Sequence, residues 1–450
     1  MQIRNIILAA GQGIRMHSSL PKVLHPILGK PLVWYAVETA RQVSGQNPVV
    51  VVGYGAEALR QALGDGADYV VQDQQLGTGH AVMQAASALQ GKTDLVLVTY
   101  GDMPLIRPQT LLELVETHLA HSGPVTLATL AGEDARGFGR ILRSPEGQVL
   151  AIVEEAQATP EQLAIREFNP GVYCINADWL WGALPRIPIS PKGEYYLTDL
   201  VGIAVDDGKW VQGVLVKDAE EMIGVNTRVH LAEAGAVMRR RINQVWMEAG
   251  VTLVDPSATY IEPGVKIGQD TIIWPNTYLH GATTIGESCE IGPNTIVRQS
   301  QVGNRCTILA SVLEEALLED EVDMGPFARL RKGAHLAKGV HMGNFGEIKN
   351  SYLAPGVKMG HFSYLGDATI GENVNIGAGT ITCNYDGKTK HHTVIEKDVF
   401  IGSDTMIVAP LTIGERAQTG AGAVVTHDVP ADTLVIGVPA RPMHKKEHAA

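Results

Sequence analysis

The chain has 450 residues, enough for two or three domains, and carries a formal net charge of −12 at pH 7. This acidic balance argues against a nucleic-acid partner, so an anionic ligand needs local basic groups. We expect neither a signal peptide nor a membrane partner, because no apolar run is long enough to span a bilayer. The four cysteines show no close pairing or metal-ligand spacing, which predicts free thiols in the cytoplasm.

Strand and helix signals alternate from residue 1 to about residue 225. Apolar runs predict strands at residues 3–10, 48–52, 69–72 and 94–99, with helices at residues 32–43 and 80–89. Strands that alternate with helices predict a parallel sheet covered on both faces. In such sheets, ligands bind at the carboxyl ends of the strands.

The first predicted strand runs into the glycine-rich sequence LAAGQGIRM, residues 8–16. Gly11 and Gly13 permit a tight backbone whose N–H groups can face phosphate oxygens. Arg15 and Lys22 supply the local positive charge that the acidic chain otherwise lacks. One interpretation is a phosphate-binding loop, and the other is a tight strand–helix turn with solvated basic residues.

Asp102 directly follows the fourth predicted strand, in the sequence Tyr100-Gly101-Asp102. A carboxylate at a strand end can hold Mg²⁺, a hard cation that prefers oxygen ligands. The alternative is a carboxylate that caps a helix or closes a turn, and Asp102 taken alone does not decide between the two.

Eight short motifs, in this order along the chain, resemble those of the sugar-1-phosphate nucleotidyltransferases. Three carry the general resemblance: LAAGQGIRM with the following Pro-Lys, Gln72 with LGTGHA (76–81), and YGD (100–102). Five more narrow it: GFGRI (137–141), IVEE (152–155), NPGVY (169–173), GEYYLTD (193–199) and GVNTR (224–228). Together with the repeats of the second half, they are similar to the bifunctional N-acetylglucosamine-1-phosphate uridyltransferases that also carry glucosamine-1-phosphate N-acetyltransferase activity. The resemblance covers nearly the whole chain.

The resemblance implies a uridyltransferase site in the first domain, in which N-acetylglucosamine-1-phosphate attacks the α-phosphorus of UTP and pyrophosphate leaves. Such transfers need charge neutralisation and in-line positioning more than covalent help. The implied residues are Leu8, Ala9, Ala10, Gly11, Arg15 and Lys22 around the triphosphate, the last two as catalytic cations; Gln72, Gly77 and Thr78 at the uracil; Tyr100 and Gly101 beside the nucleotide; Gly139, Glu154 and Asn169 at the sugar; and Asp102 and Asn226 as Mg²⁺ ligands.

Two residues depart from the usual motifs of this family. Ile14 replaces a Thr in the glycine-rich loop, which removes a hydroxyl near the nucleotide. Pro170 replaces a Thr after Asn169, which removes a backbone N–H. Neither substitution removes a charged group from the predicted site.

Residues 226–249 predict a helix, because apolar residues recur at spacings of three and four between a capping residue and a glycine. Within it, Arg239-Arg240-Arg241 indicates a solvated helix face, with a phosphate site as the minority alternative. We therefore expect a uridyltransferase domain at residues 1–226, a linker helix at 227–250 and an acetyltransferase domain at 251–450.

Aliphatic residues recur at every sixth position in the second half. The regular runs are Ile261, Ile267, Ile273, Leu279, Ile285, Ile291 and Val297, and later Ile395, Ile401, Ile407 and Ile413, with Thr419 as an exception before Val425. A period of six fits neither a helix nor one strand, but it is typical of short strands joined by turns in a parallel β-helix. Each coil covers the apolar face of the next, so the core is continuous. We expect about nine coils, and the resemblance implies the left-handed form that follows a Rossmann-like α/β domain.

Polar residues that a purely structural β-helix does not need lie mostly between the two regular runs. They are Arg329 and Arg331 in GPFARLRKG (325–333), Lys349, His361 and Tyr364 in GHFSYLGD, Asn373 and Asn375 in NVNIGAGT, which also contains Ala378, and the polar residues of the eleven-residue insertion CNYDGKTKHHT at 383–393. Stacked coils can bring these groups together. For His361 alone, a surface or packed histidine is the alternative.

The resemblance implies that His361 is the general base of the acetyltransferase. It would take a proton from the 2-amine of glucosamine-1-phosphate as that amine attacks the thioester of acetyl-CoA. The other implied residues are Arg331 and Lys349 at the sugar phosphate, Tyr364 and Asn375 at the sugar, and Ala378, Asn384, Tyr385, Ser403 and Ala421 at acetyl-CoA. A homotrimer with the acetyl-CoA groove between subunits is also implied.

One position near the C-terminus departs from the family pattern. An Arg that often precedes Val-Pro and binds acetyl-CoA is Gly437 here. Arg441, Lys445 or Lys446 are the candidates to replace it.

The leading interpretation is an enzyme of UDP-N-acetylglucosamine synthesis, which feeds peptidoglycan and so the cell wall and cell shape. One alternative is a single-activity sugar-1-phosphate nucleotidyltransferase with a structural β-helix, which gives no reason for Lys349, His361 or Asn384-Tyr385. A non-catalytic assembly subunit is the other, and it would be expected to lose Arg15, Lys22 or Asp102.

Overall fold

A computed structural model describes residues 1–443, which form two compact units. The first is Met1–Met238, and the second begins at Arg239. The division falls inside the predicted helix, which runs from Arg228 to Glu248. Ala234 and Val237 pack into the core of the first unit, whereas Ile242 and Trp246 pack against the core of the second. The three domain limits expected from the sequence stay a prediction.

A ten-stranded mixed sheet forms the centre of the first unit. Its path is Asp68–Val71, Val49–Val52, Ile3–Leu8, Leu95–Tyr100, Tyr173–Asn176, Val125–Ala131, Glu167–Asn169, Gly139–Arg143 and Val149–Val153, with Val211–Leu215 paired to Val125–Ala131. The four predicted strands are present and mutually parallel. Because Tyr173–Asn176 runs antiparallel to both of its neighbours, the fully parallel sheet expected from the sequence is wrong beyond the fourth strand.

Helices cover both faces of this sheet, since separate apolar clusters lie on its two sides. Their bounds are Leu32–Ser44, Ala56–Leu63, Thr78–Gln84, Ala86–Leu89, Pro108–Leu119, Pro160–Leu163, Ala177–Ala183 and Asp199–Asp206. Short 3-10 turns occupy Ile14–Met16, Lys22–Leu24, Gly64–Gly66, Glu155–Gln157, Leu184–Arg186 and Ala219–Met222, and a small hairpin pairs Pro26–Ile27 with Lys30–Pro31. The helix predicted at residues 80–89 is divided into two after Gln84.

The second unit is a parallel β-helix with three sheets, and a complete coil contributes one short strand to each of them. The first sheet contains Thr252–Leu253, Ile272–Ile273, Glu290–Ile291, Thr307–Ile308, Asp323–Met324, His341–Asn344, Lys358–His361, Asn375–Ile376, Phe400–Ile401, Gln418–Thr419 and Leu434–Ile436, with Arg441–Pro442 antiparallel at its edge. A 3-10 turn, Pro256–Ala258, lies in the first coil.

The other two sheets complete each coil. The second contains Thr259–Ile261, Thr277–His280, Ile296–Arg298, Val312–Glu314, Arg329–Leu330, Glu347–Lys349, Tyr364–Gly366, Ile381–Cys383, Met406–Val408 and Val424–Val425. The third contains Lys266–Ile267, Thr284–Ile285, Gln301–Val302, Leu317–Leu318, His335–Leu336, Tyr352–Leu353, Ala368–Ile370, Thr393–Ile395 and Leu411–Ile413. Its nine strands agree with the expected number of coils.

The hydrophobic column of the β-helix is continuous where the sequence repeat looked interrupted. Val302, Leu313 and Leu318 are buried in it, and each follows the preceding inward residue by five positions rather than six. A corner can lose one residue and still direct the next side chain inward, so the coil shortens without breaking. Thr419 also stays in the column, where its hydroxyl accepts a hydrogen bond from the N–H of Gly402 at 2.9 Å.

Stacking of the coils brings together Cys289 and Cys306, which are one coil apart in the sequence. Cys289 and Cys306 precede Glu290 and Thr307, which are paired in register on neighbouring strands. All four cysteines are free thiols, as predicted. In the described residues, no helix is both long and apolar enough to cross a membrane.

Candidate functional sites

The glycine-rich loop crosses the carboxyl end of the strand Ile3–Leu8. Gly13 has φ +68°, and a Cβ there would overlap the side chain of Lys22, so a larger residue would displace that lysine. The loop therefore places Lys22 at the strand ends, while Ile14 points into solvent with 77% of its surface exposed.

The Lys22 ammonium contacts both predicted metal ligands. It donates to the carboxylate of Asp102 and, at 3.0 Å, to Oδ1 of Asn226. Two oxygens that converge on a cation fit Mg²⁺, which takes one or two protein ligands and completes its shell with water and phosphate. The described residues contain no cluster of three His, Cys, Asp or Glu that could hold a metal.

A cavity of about 450 Å³ lies beside this cluster and is lined by most residues predicted for UTP. They are Leu8, Ala9, Ala10, Gly11, Lys22, Gln72, Gly77, Thr78, Tyr100, Asp102 and Asn226. Gln72 is buried, and its Nε2 donates to the Gly77 carbonyl at 3.0 Å. Gly101 lies just behind the wall, where a Cβ would meet Ala9 and Val23 at 3.3 Å.

A second cavity, of about 400 Å³, shares Thr78, Tyr100, Asp102 and Asn226 with the first. Its wall also contains Arg15, Gly139, Glu154 and Asn169, so the residues predicted for the sugar lie on the side away from Gln72. Burial, Asp102 and Glu154 raise the pKa of Tyr100, which therefore stays a neutral phenol.

The side-chain amide of Asn169 makes hydrogen bonds to protein groups on either side of the turn at Pro170. Asn169 is buried, donates from Nδ2 to the Tyr173 hydroxyl at 2.7 Å and accepts from the Gly171 N–H at 3.1 Å. The N–H that Pro170 lacks is therefore not needed to close this turn.

Sequence reasoning missed several residues that line the two cavities. Gln75 donates to the carbonyl of Ala10 at 2.8 Å, and Thr198 donates to Glu154 at 3.0 Å. Thr198 lies in the GEYYLTD motif, which was a usable signal. For Gln75, only its position between Gln72 and the following glycines pointed to the site.

In the second unit, three residues predicted for acetyl-CoA lie at equivalent corners of successive coils. Ala378, Ser403 and Ala421 each follow a strand of the first sheet. Hydrogen bonds from Asp404 N to the Ala378 carbonyl and from Gly422 N to the Ser403 carbonyl join the stacked corners. This corner is an open ladder of small residues, in which Ser403 and Ala421 are exposed.

Basic groups gather along the second sheet, in coils that precede the coil of Ala378. Arg331 Nη1 donates to Glu347 at 3.0 Å, and Lys349 is in register with Gly366 of the next coil. Contact with the Lys390 ammonium, followed by burial and Arg331, lowers the pKa of Lys349. Two ammonium groups held together favour an anion between them. Lys390 lies in the insertion and was missed, because nothing in the sequence pairs it with Lys349.

Arg329, which the sequence placed beside Arg331, belongs to a different cluster. Its guanidinium donates to Glu314 at 2.8 Å. Arg239, expected to be solvated, instead lies over the ring of Tyr260, with its Cζ 4.9 Å from the ring centroid.

Tyr364 and Asn384 meet over Gly366. A Cβ at Gly366 would overlap the Tyr364 hydroxyl and lie 2.8 Å from Asn384 Nδ2. His361 is the exposed last residue of the strand Lys358–His361, three residues before Tyr364 begins the second-sheet strand of the same coil. The fold thus brings Tyr364, Asn384 and the Lys349 face together, with His361 at the adjoining corner.

The remaining predicted residues of this site are Asn375 and Tyr385. Asn375 lies on the first sheet in register with Lys358 and Phe400. Tyr385 is exposed on the insertion, where it pairs with Lys390 across a hairpin.

Arg441 lies on the antiparallel edge strand opposite Ile436, next to Gly437. Its guanidinium donates to the carbonyl of Ala440 at 3.1 Å. Lys445 and Lys446, the other candidates for the missing arginine, lie outside the described residues.

Comparison with known proteins agrees with both units. Residues 5–173 match the MobA-like NTP transferase domain, and residues 264–299 and 392–427 match the bacterial transferase hexapeptide (six repeats). Fold and sites therefore define a nucleotidyltransferase domain fused to a hexapeptide-repeat acyltransferase with a left-handed parallel β-helix.

Full-length relatives identify the family. The chain is 47% identical to the bifunctional protein GlmU of Heliobacterium modesticaldum, and the aligned region covers 96% of this chain and 94% of that protein. It is 45% identical to that of Brevibacillus brevis, over 97% and 95%, and 46% identical to that of Pelobacter propionicus, over 96% and 95%. The chain belongs to the bifunctional GlmU family and is an enzyme with nucleotidyltransferase and acyltransferase activities. The single-activity and non-catalytic alternatives are set aside.

Proposed function

We propose that the chain makes UDP-N-acetylglucosamine in two steps at two separate sites. The second unit acetylates glucosamine-1-phosphate with acetyl-CoA, and the first transfers UMP from UTP to the N-acetylglucosamine-1-phosphate that results. The observation that carries this proposal is that each unit gathers the groups its reaction needs: Lys22 contacts Asp102 and Asn226 in the first, and Tyr364 and Asn384 meet over Gly366, in register with Lys349, in the second.

In the first unit, the loop at residues 8–11 and the cations Arg15 and Lys22 would neutralise the triphosphate. The cavity on the Gln72 side would hold the nucleotide, and the cavity lined by Gly139, Glu154 and Asn169 would hold the sugar phosphate. Because the two cavities share Asp102 and Asn226, the phosphate of the sugar would face the α-phosphorus of UTP at the cluster. The sugar phosphate oxygen forms the new P–O bond and pyrophosphate leaves.

Asp102 and Asn226 are the proposed holders of Mg²⁺, which when bound neutralises phosphate charge. Both oxygens contact the Lys22 ammonium, which supports the assignment because the position already suits a cation. Lys22 would turn toward phosphate oxygens once a metal and the nucleotide are bound.

In the second unit, Arg331, Lys349 and Lys390 would bind the sugar phosphate, and Tyr364 and Asn375 would orient the sugar. The 2-amine attacks the thioester carbonyl, His361 takes the amine proton, and the C–S bond breaks to release CoA, whose sulfur is finally protonated. Ala378, Ser403 and Ala421 would line the acetyl-CoA groove, because their small side chains leave the corner of the coils open. Asn384 and Tyr385 would approach from the insertion.

A homotrimer is part of the proposal. Phe327, Phe345 and Phe362 are 61%, 62% and 57% exposed at the corner that also carries His361, and the rings of the first two stack at 5.4 Å. Phe327 and Phe345 adopt left-handed backbone, which costs on the order of 1 kcal/mol each. An exposed aromatic column supports burial against a second subunit. The cytoplasm stays the proposed location, supported by the four free thiols.

The test is a pair of reciprocal variants in the full-length chain. His361→Ala should lower CoA release with glucosamine-1-phosphate by at least about 100-fold and leave UMP transfer unchanged, because general-base catalysis contributes 10²–10⁴. Asp102→Ala should abolish Mg²⁺-dependent UMP transfer and leave CoA release unchanged. Equal loss of both activities in either variant refutes separate sites, and Mg²⁺-dependent UMP transfer by Asp102→Ala refutes that ligand.

A further inference from the structure

Asp367 is a buried carboxylate beneath the proposed acetyltransferase site that no step above uses. Its Oδ1 accepts from Asn350 Nδ2 at 2.6 Å, and its Oδ2 accepts from Asn384 Nδ2 at 2.5 Å. Its backbone N–H donates to the Lys349 carbonyl, and its carbonyl accepts from the Thr393 N–H, each at 3.1 Å. One residue thus joins the coil of Lys349 to both ends of the insertion.

The contact with Asp367 determines which way the Asn384 amide faces. A carboxylate oxygen only accepts hydrogen bonds, so the group turned toward Asp367 must be the NH₂ of Asn384. The hydrogen bond that the Asn384 side chain makes runs through Nδ2, which leaves its side-chain oxygen on the other side of the amide. Nδ2 of this amide lies next to Gly366, as does the Tyr364 hydroxyl, and this is where we place the sugar.

Burial opposes ionisation of Asp367, but several contacts outweigh it. Hydrogen bonds from Asn350 and Asn384, and the nearby ammonium groups of Lys390 and Lys349, hold the pKa of this carboxyl below its usual value. Asp367 therefore stays ionised at neutral pH, and it remains an acceptor for both amides.

We propose that Asp367 is a positioning residue for acetyl transfer, which fixes the Asn384 amide so that its oxygen is presented to the amine of the sugar substrate. An amide oxygen accepts a hydrogen bond from an N–H of the attacking amine and so orients the lone pair of its nitrogen toward the thioester. This inference rests on the proposed acetyltransferase function. It adds the protein atom that accepts a hydrogen bond from the amine of the sugar substrate.

Asp367→Asn changes the chemistry with almost no change in size. The substituted side chain offers one oxygen and one NH₂ to two incoming NH₂ groups, so one of the two loses its acceptor. Asn384 regains a bond only by rotating its amide, which then presents NH₂ to the amine. The lysines lose a neighbouring negative charge, so phosphate binding is not weakened.

The experiment measures CoA release by the full-length chain against glucosamine-1-phosphate and against acetyl-CoA. Asp367→Asn should lower kcat at least about tenfold and change KM for glucosamine-1-phosphate less than about threefold. Asn350→Ala is the matched control, because it removes the other amide from the same carboxylate and leaves Asn384 in place. Its kcat should stay within about threefold of the wild-type value.

Other results overturn the proposal. If KM rises for both substrates in Asp367→Asn, the carboxylate only holds the insertion, which carries Lys390 and Tyr385. An equal loss of kcat in Asn350→Ala leads to the same conclusion. A wild-type chain that releases no CoA refutes the proposed function and this inference with it, whereas an active wild type matched by Asp367→Asn refutes the inference alone. Thermal unfolding of each variant, followed by circular dichroism, reports whether the β-helix has folded, and UMP transfer reports the first unit.

Discussion

Gly366→Ala should disable the acetyltransferase without unfolding the β-helix. A Cβ at this position would lie 2.7 Å from Cζ of Tyr364 and 2.8 Å from Nδ2 of Asn384, and would overlap the Tyr364 hydroxyl. Ordinary contacts begin at about 3.4–3.5 Å, so both side chains must move by more than half an ångström. The Gly366 backbone is not left-handed, so alanine adds no backbone strain there.

The size of the effect follows from where those two side chains lie. A misplacement of about 1 Å can lower the rate on the order of 100-fold, or about 2.7 kcal/mol in activation free energy. We expect that loss in kcat/KM for glucosamine-1-phosphate, measured as CoA release at saturating acetyl-CoA. UMP transfer by the same chain should not change, because its residues lie in the other unit.

Gly360→Ala provides a matched control one residue before His361. A Cβ there meets no atom within 4 Å, so CoA release should stay within about threefold of wild type. Near-normal acetyl transfer by Gly366→Ala would show that Tyr364 and Asn384 do not act where they meet, and would refute their assignment. Comparable losses in both variants would indicate that any added methyl group distorts the coil.

Two further predictions concern the first unit. Gly171 has φ +88°, and a Cβ there would lie 2.6 Å from the ring of Tyr100. Gly171→Ala should therefore lower the rate of UMP transfer at least about tenfold and leave CoA release unchanged. An equal loss of both activities would contradict this prediction. Burial lowers the pKa of His118 to about 4, whereas an unfolded chain binds that proton below about pH 6.5. Its contribution to the free energy of unfolding is therefore complete above pH 6.5 and lost as the pH falls toward 4, by about 2 kcal/mol at pH 5 and about 3 kcal/mol in all. His118→Asn removes the titrating imidazole but keeps an acceptor for Thr126. In urea unfolding followed by UMP transfer, the free energy of unfolding of this variant should fall less between pH 7.5 and pH 5 than that of the wild type. An equal fall in both proteins would refute the role of His118.

The local signals of the sequence were sufficient for the four parallel strands and the linker helix. Each depends on the side chains of its own segment, which alternate or recur along one face. The antiparallel strand Tyr173–Asn176 was not predictable in the same way, because its direction is set by its neighbours Leu95–Tyr100 and Val125–Ala131.

By itself, the sequence determined the β-helix and the residue types of both sites, since the spacing of inward side chains and the glycine-rich loop are encoded locally. Tertiary structure alone decided which of those residues meet. Lys22 is 80 residues from Asp102 and 204 from Asn226, and only the shared edge of the sheet brings them together. Likewise, Asp367 turns the Asn384 amide because stacked coils place residues about one turn apart within contact of each other, and Lys390 acts on Lys349 because the insertion projects back over the earlier coils.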